Sequence, residues 1–249
     1  MRVSSYEVGA ADGVGPVVVV VPGLCVASYL YPACDALAAE GFRVELVEPP
    51  GWPRSDRPDT EPRTVAQLAG WVREWLVIRG FADVVLVGQS MGAQIAGHVA
   101  AQSPERVRML VLQGPVFDPA YRTPVRALGR WLLDVPRERP SLAARELPEW
   151  IRVGPRRVWR NLRLSVEDRL EHTVAQVSGP VLVALGEHDT LAGRRWGTAL
   201  ATSPSDFFVL RGLPHSSPHA DPTGFASLVR EWCHDARDHR TCNGGETPD

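Results

Sequence analysis

Cysteine is scarce in this sequence. The four residues Cys25, Cys34, Cys233 and Cys242 form no C-x-x-C pair. No Cys or His group has zinc-ligand spacing, and four thiols in 249 residues read as packing rather than as a disulfide framework. Long apolar runs are missing as well. The most apolar stretch, Val17–Val21, stops at Pro22-Gly23, far short of the roughly 20 residues of a membrane-spanning helix. The N-terminal MRVSSYEVGAADG has no apolar signal region, so a soluble cytoplasmic protein is the expectation. Net charge is also small. A formal value of -2 gives no global footprint for nucleic acid or for an anionic membrane. Lysine is absent altogether: all 27 basic residues are arginine, which reads as coding bias from a GC-rich genome.

What is present is enough for a sizeable core. A hydrophobic fraction of 44% in a chain of this length fits one α/β domain with a small insertion better than two domains. Short β-branched runs alternate with helical patterns, the signature of a mostly parallel sheet covered by helices. Strands are expected at Val17–Val21, Arg43–Val47, Val84–Val87, Met109–Leu112, Val181–Leu185 and Phe207–Leu210, and their continuous apolar character suits burial on both faces. Helices are expected at Tyr31–Glu40, Val65–Ile78, Met91–Gln102, Gly193–Ala201 and Thr223–Ala236. Alternation breaks between Pro119 and Ser178, where Pro124, Pro136, Pro140, Pro148 and Pro155 cut an arginine-rich stretch into short helices. The division expected is therefore a core of residues 1–118 and 179–237, an insertion at 119–178 and a polar, disordered tail at 238–249.

One segment carries chemistry. Val84–Val87 leads into Gly88-Gln89-Ser90-Met91-Gly92, a G-x-S-x-G flanked by strand and helix. A serine on so tight a turn needs minimal neighbours, which the two glycines supply, and its hydroxyl stands at a helix N-terminus that favours developing negative charge. Without the flanking elements the motif would be weak. Serine needs a base oriented by an acid, and the chain order serine, acid, histidine points to Asp189 and His215, just beyond the strands at Val181–Leu185 and Phe207–Leu210. All three lie at the C-terminal edge of one sheet, where sites in parallel sheets form.

Rival residues carry less. His219 could pair with His215 on a metal, but Pro214, Pro218 and Pro222 argue against the helix that would align them, leaving His219 as a loop or rim residue. His188 precedes its own acid, and His98 falls within a helix. Glu187 is a weaker acid candidate than Asp189, and Asp118 is the best alternative acid because it too leaves the C-terminal edge. An oxyanion hole would take the backbone N–H of Met91 and that of Leu24, the latter brought close by Gly23. Cys25 beside it reads as a packed residue before a reactive thiol.

These residues resemble the α/β-hydrolase family, specifically small capped enzymes that include esterases, carbon–carbon bond hydrolases and cofactor-free perhydrolases. The likeness rests on Gly88 to Gly92, the turn from Gly186 to Asp189, His215 with Pro222 seven residues on, and Glu48 to Asp56 (EPPGWPRSD). It implies an eight-stranded, mostly parallel sheet flanked by helices, with a helical cap after the sixth strand at Pro119–Ser178. The family commonly has His-Gly in the oxyanion loop where this chain has Pro22-Gly23; a backbone donor survives that change. The activity implied is cleavage of an ester, thioester or lactone through an acyl-enzyme on Ser90, without metal or organic cofactor. The serine argues against the aspartate-nucleophile dehalogenases and epoxide hydrolases of this fold, and a C–C bond hydrolase or a lyase or cyclase is the alternative. The insertion holds twelve arginines against seven carboxylates. Either the arginines coat solvent-facing helix sides, or they draw in an anionic or carrier-bound acyl substrate. Trp131, Trp150 and Trp159 either line a pocket or hold the insertion together.

Overall fold

The computed structural model describes residues 2–9, 16–203 and 206–243. Seven strands form one sheet: β1 (Ser4–Val8), β2 (Val17–Val21), β3 (Arg43–Glu48), β4 (Val84–Gln89), β5 (Val107–Gln113), β6 (Val181–Gly186) and β7 (Phe207–Leu210), in the order β1-β3-β2-β4-β5-β6-β7. Only β1 runs antiparallel, pairing Ser4 with Glu48 and Val8 with Val44. The eight strands expected are thus corrected to seven among the described residues, because a single short strand precedes Val17. That strand went unread: its SSYEV sequence alternates half-buried and exposed positions and has no apolar run.

The other strands form where β-branched runs demand burial on both faces. In β2, Val19 and Val21 enter one core layer while Val18 and Val20 enter the other. The first layer is closed by α2 (Val65–Ile78), α3 (Met91–Gln102) and α8 (Arg194–Leu200), through Leu68, Trp75, Ile95 and Trp196. The second is closed by α1 (Tyr31–Ala39) and α10 (Pro222–Asn243), through Leu37, Phe225 and Val229. Each fully buried Leu or Val adds roughly 1.5–3 kcal/mol. Helix α10 also corrects the expected tail. It continues through residues 238–243, since DHRTCN contains no glycine or proline to stop it and the first glycine is Gly244; the rest of that expectation, 244–249, lies outside the described residues.

Between β5 and β6 the chain makes α4 (Pro124–Asp134), α5 (Pro140–Val153), α6 (Pro155–Glu167) and α7 (Leu170–Val174). Three begin on proline, whose missing N–H is no loss at a first helical position. Pro148 departs from the expected breaks: it sits inside α5, where Ala144 and Pro148 both face solvent and the freed carbonyl can be hydrated. Helix α7 turns back to the core, packing Leu170 and Val174 in the layer that holds α3.

Candidate active site

The turn between β4 and α3 shows why both glycines are there. A Cβ on Gly88 would lie 2.3 Å from the Gly92 carbonyl oxygen, and one on Gly92 would lie 2.1 Å from the Val21 carbonyl oxygen. Ser90 between them has φ 58° and ψ -121°, a conformation that L side chains seldom adopt. Its own N–H donates to the Gln113 carbonyl at 2.9 Å, tying the turn to the end of β5.

Asp189 and His215 come together on neighbouring loops. Glycine again permits the approach, because a Cβ on Gly186 would meet the Pro214 carbonyl oxygen at 2.0 Å. His215 Nδ1 is 2.8 Å from Asp189 Oδ2, and the carboxylate is fully buried. Asp189 Oδ1 accepts from the N–H groups of Leu191 (2.8 Å) and Ala192 (2.9 Å), which fixes the carboxylate's orientation. The other imidazole nitrogen, Nε2, is buried and without a hydrogen-bond partner among the described residues. Burial by itself disfavours the imidazolium, but the charge of Asp189, its hydrogen bond, and the nearby carboxyl groups of Asp134 and Glu138 outweigh it and raise His215 from 6.5 to about 9.

Ser90, His215, Leu24 and Met91 all line one cavity of about 1080 Å³, roofed by α4, α5 and α6. Met91 is the first residue of α3, so its N–H has no helical acceptor behind it. The loop that carries Leu24 is held by three aromatic side chains. Trp52 Nε1 donates to the Gly23 carbonyl at 3.0 Å, and Trp150 Nε1 donates to the Leu24 carbonyl at 2.8 Å. The Tyr29 hydroxyl accepts from the Gly23 N–H at 3.1 Å and donates to Gln89 Oε1. Tyr29 thus engages the Gly23 amide, and Leu24, the next residue, lines the cavity.

The rival residues lie elsewhere. Asp118 Oδ1 accepts from the Ala120 N–H and caps the short 3-10 turn Pro119–Tyr121. Glu187 is exposed and accepts from the Gly212 N–H, and His188 is exposed. His98 Nε2 is paired with Asp168 at 2.8 Å. His219 corrects the expectation of a rim residue: it is buried in the short helix α9 (Ser217–Ala220), which Pro218 starts rather than breaks. Its Nδ1 is 3.1 Å from the Tyr29 carbonyl and its Nε2 is 2.9 Å from Ser141 Oγ. Cys25 is fully buried, accepts from Asn161 Nδ2, and its thiol is pushed up to about 12 by desolvation, so it packs rather than reacts.

Residues 16–167 match the family model described as alpha/beta hydrolase fold. The chain belongs to the α/β-hydrolase family. This α/β hydrolase is 40% identical over 87 residues to a 2-hydroxy-6-oxononadienedioate/2-hydroxy-6-oxononatrienedioate hydrolase of Burkholderia vietnamiensis, covering 32% of the chain and 28% of that protein. It is 31% identical over 137 residues to a haloalkane dehalogenase of Mycolicibacterium paratuberculosis, covering 53% and 44%. It is 35% identical over 85 residues to a probable 1-acylglycerol-3-phosphate O-acyltransferase of Oryza sativa, where the match spans 32% of the chain and 20% of the relative. The matched parts thus span less than half of each of these relatives. Among solved structures, the enol-lactonase of Burkholderia xenovorans superposes with a TM-score of 0.75 at 22% identity over 93% of this chain and 96% of that one, a likeness of fold.

Sequence reasoning missed three features of the site. Gln113 and Gly114 end β5 against His215: Gln113 Nε2 donates to the His215 carbonyl at 3.0 Å, and Gly114 lies behind the imidazole. The aromatic clamps on the Leu24 loop gave no sequence signal beyond the tryptophan count. The carboxyl groups on the cavity wall, Asp134, Glu138 and Glu146, were hidden in an arginine-rich stretch from which only Arg139 of the twelve arginines lines the cavity.

Proposed function

We propose that this α/β hydrolase cleaves a small-molecule ester, thioester or lactone through an acyl-enzyme on Ser90. The observation that carries the reading is the 2.8 Å contact between His215 Nδ1 and Asp189 Oδ2, with His215 Nε2 unpartnered in a residue that shares its cavity with Ser90. His215 Nε2 takes the Ser90 proton as Oγ attacks the carbonyl carbon. Asp189 holds the ring with its proton on Nδ1 and stabilises the imidazolium that forms. The N–H groups of Leu24 and Met91 receive the oxyanion, each donor worth about 10²–10³ in rate. The leaving group departs with the proton from His215, and water, deprotonated by the same nitrogen, releases the acyl group.

The test is labelling with an alkyl fluorophosphonate. A single adduct should form on the peptide containing Ser90 and be absent in Ser90→Ala, which should also lose ester turnover. Intact, folded protein that takes no adduct would refute the proposal. A second reading, hydrolysis of a carbon–carbon bond, is favoured by the 40% identity to the Burkholderia vietnamiensis hydrolase; turnover of vinylogous 1,5-diketones in preference to esters would select it.

The pH dependence follows from the base. Only neutral imidazole can take the serine proton, and its pKa in the folded protein is about 9. The kcat/KM should therefore rise through neutral pH and level off above about 9. Stability runs the other way. A folded-state pKa above 6.5 means the imidazolium's stabilisation is complete below 6.5 and is lost as pH rises through about 9. A pH–rate profile paired with thermal melts checks both signs.

A further inference from the structure

The helical segment is basic in sequence, but the cavity it covers is not. Its arginines are spent elsewhere. Arg122 pairs with Glu171 at 2.7 Å, Arg157 and Arg160 pair with Glu61, Arg145 donates to the Ser28 carbonyl, and Arg130 donates to the Thr190 carbonyl. Arg139, itself exposed, is the one arginine of the segment among the lining residues. Facing the space instead are Asp134, Glu138 and Glu146.

Two of these carboxyl groups are held among other acids: Glu138 hydrogen-bonds the Asp134 carboxyl, Glu146 is repelled by Glu138, and the one cation that both feel is His215. Glu138 Oε1 accepts from the Ser216 N–H at 2.7 Å, one residue from the base, while its Oε2 is buried with no partner among the described residues. That orphan atom and the orphan Nε2 of His215, in a residue only 6% exposed, belong to the wall of the same cavity. Burial and the repulsion of Glu138 raise Glu146 to about 8, and burial likewise raises Glu138. A bound cation would reverse both effects. The rest of the lining is apolar and largely aliphatic, with Trp131, Trp150 and Trp159 among it; the first two meet edge to face with centroids 5.9 Å apart. Carboxylates and tryptophans that line one cavity can together hold an alkylammonium group, by ion pairing and by cation–π attraction.

We propose that the cavity selects acyl substrates bearing an ammonium group, with Glu138 and Glu146 as its counter-ions and the tryptophans in its apolar wall as cation–π partners. The inference rests on the hydrolase reading for which bond is cut, and it opposes one of the two readings that the arginine count left open, the anionic substrate.

The test uses Ser90→Ala protein, in which binding is separate from chemistry, and three amides of similar length. These are N-butyl 6-(trimethylammonio)hexanamide, its uncharged isostere N-butyl 7,7-dimethyloctanamide, and N-butyl adipamate, which ends in a carboxylate. Titration calorimetry above pH 8, where Glu146 is mainly ionised, should find the cationic amide bound at least about tenfold more tightly than the neutral one, and the adipamate most weakly. Glu146→Gln and Glu138→Gln, the second of which keeps the acceptor for Ser216, should each shrink the cationic preference. Equal binding of the three, preference for adipamate, or no binding of the cationic amide at millimolar concentration overturns the proposal without either glutamate having to be replaced. If Ser90 takes no fluorophosphonate yet the cationic preference stands, it is the hydrolase reading that has failed.

Discussion

Replacing Asp189 with asparagine should lower kcat by about 10⁴-fold while leaving the protein folded. The size follows from how the carboxylate is held. Oδ1 accepts from two backbone donors, the N–H groups of Leu191 and Ala192, and only an oxygen can satisfy both. The asparagine carbonyl must therefore occupy that position, which turns its NH₂ toward His215 Nδ1. Facing a donor, Nδ1 must give up its proton and accept, so the ring proton moves to Nε2. That nitrogen can then no longer take a proton from Ser90. The base is lost without moving an atom far, because the two amides enforce the wrong tautomer. With the charge gone, the largest part of the pull that raised His215 to about 9 goes as well, so the inflection of the residual rate should move to lower pH. Single-turnover ester cleavage, with circular dichroism to establish the fold, measures the effect. Retention of more than about a tenth of the rate would mean that another group orients the base.

How much of this was legible beforehand depended on what each residue reports. The valine runs of β2, β4 and β6 read directly as buried strands because burial on both faces leaves room for nothing else. Ser90 was legible because Gly88 and Gly92 are required by backbone approaches of 2.3 Å and 2.1 Å, and such requirements leave a mark in residue type. Asp189 and His215 were singled out from their place after β6 and β7, and the fold brings them within 2.8 Å of each other. The walls of the cavity were not, because α4 and α5 carry arginine and glutamate in a mixture whose inward and outward sides depend on tertiary placement. Glu149 shows this: it is buried, accepts from the Ala27 N–H and pairs with Arg54, which also grips Glu48. Glu146, three residues earlier, faces the cavity. No composition count separates the two, so the excess of arginine left open whether those side chains coat the solvent face or meet a substrate.

Gly114→Ala should cost about 10²-fold in kcat, although this residue touches no substrate in the proposed mechanism. Gly114 follows the last residue of β5 with φ +54°, and its N–H donates to the Ala184 carbonyl at 2.9 Å, so the backbone is pinned between two strands. A Cβ there would lie 2.9 Å from both Cε1 and Nδ1 of His215 and 3.3 Å from Asp189 Oδ2. Ordinary carbon contacts need about 3.5–4.0 Å, so something must yield by more than half an ångström. The backbone is held by its strand bond, and Asp189 by Leu191 and Ala192. The imidazole is the freest of the three, and it must swing away from Asp189. The left-handed conformation adds a strain of roughly 1–2 kcal/mol for alanine, which should appear as a fall of several degrees in Tm. Activity separates this from mere destabilisation. If the imidazole leaves Asp189, the inflection in kcat/KM falls from about 9 toward the 6.5 of an unpaired histidine, and fluorophosphonate labelling of Ser90 slows in step with kcat. A melting temperature that drops while the inflection stays at its original pH would mean that the strand yields and the His215–Asp189 contact holds.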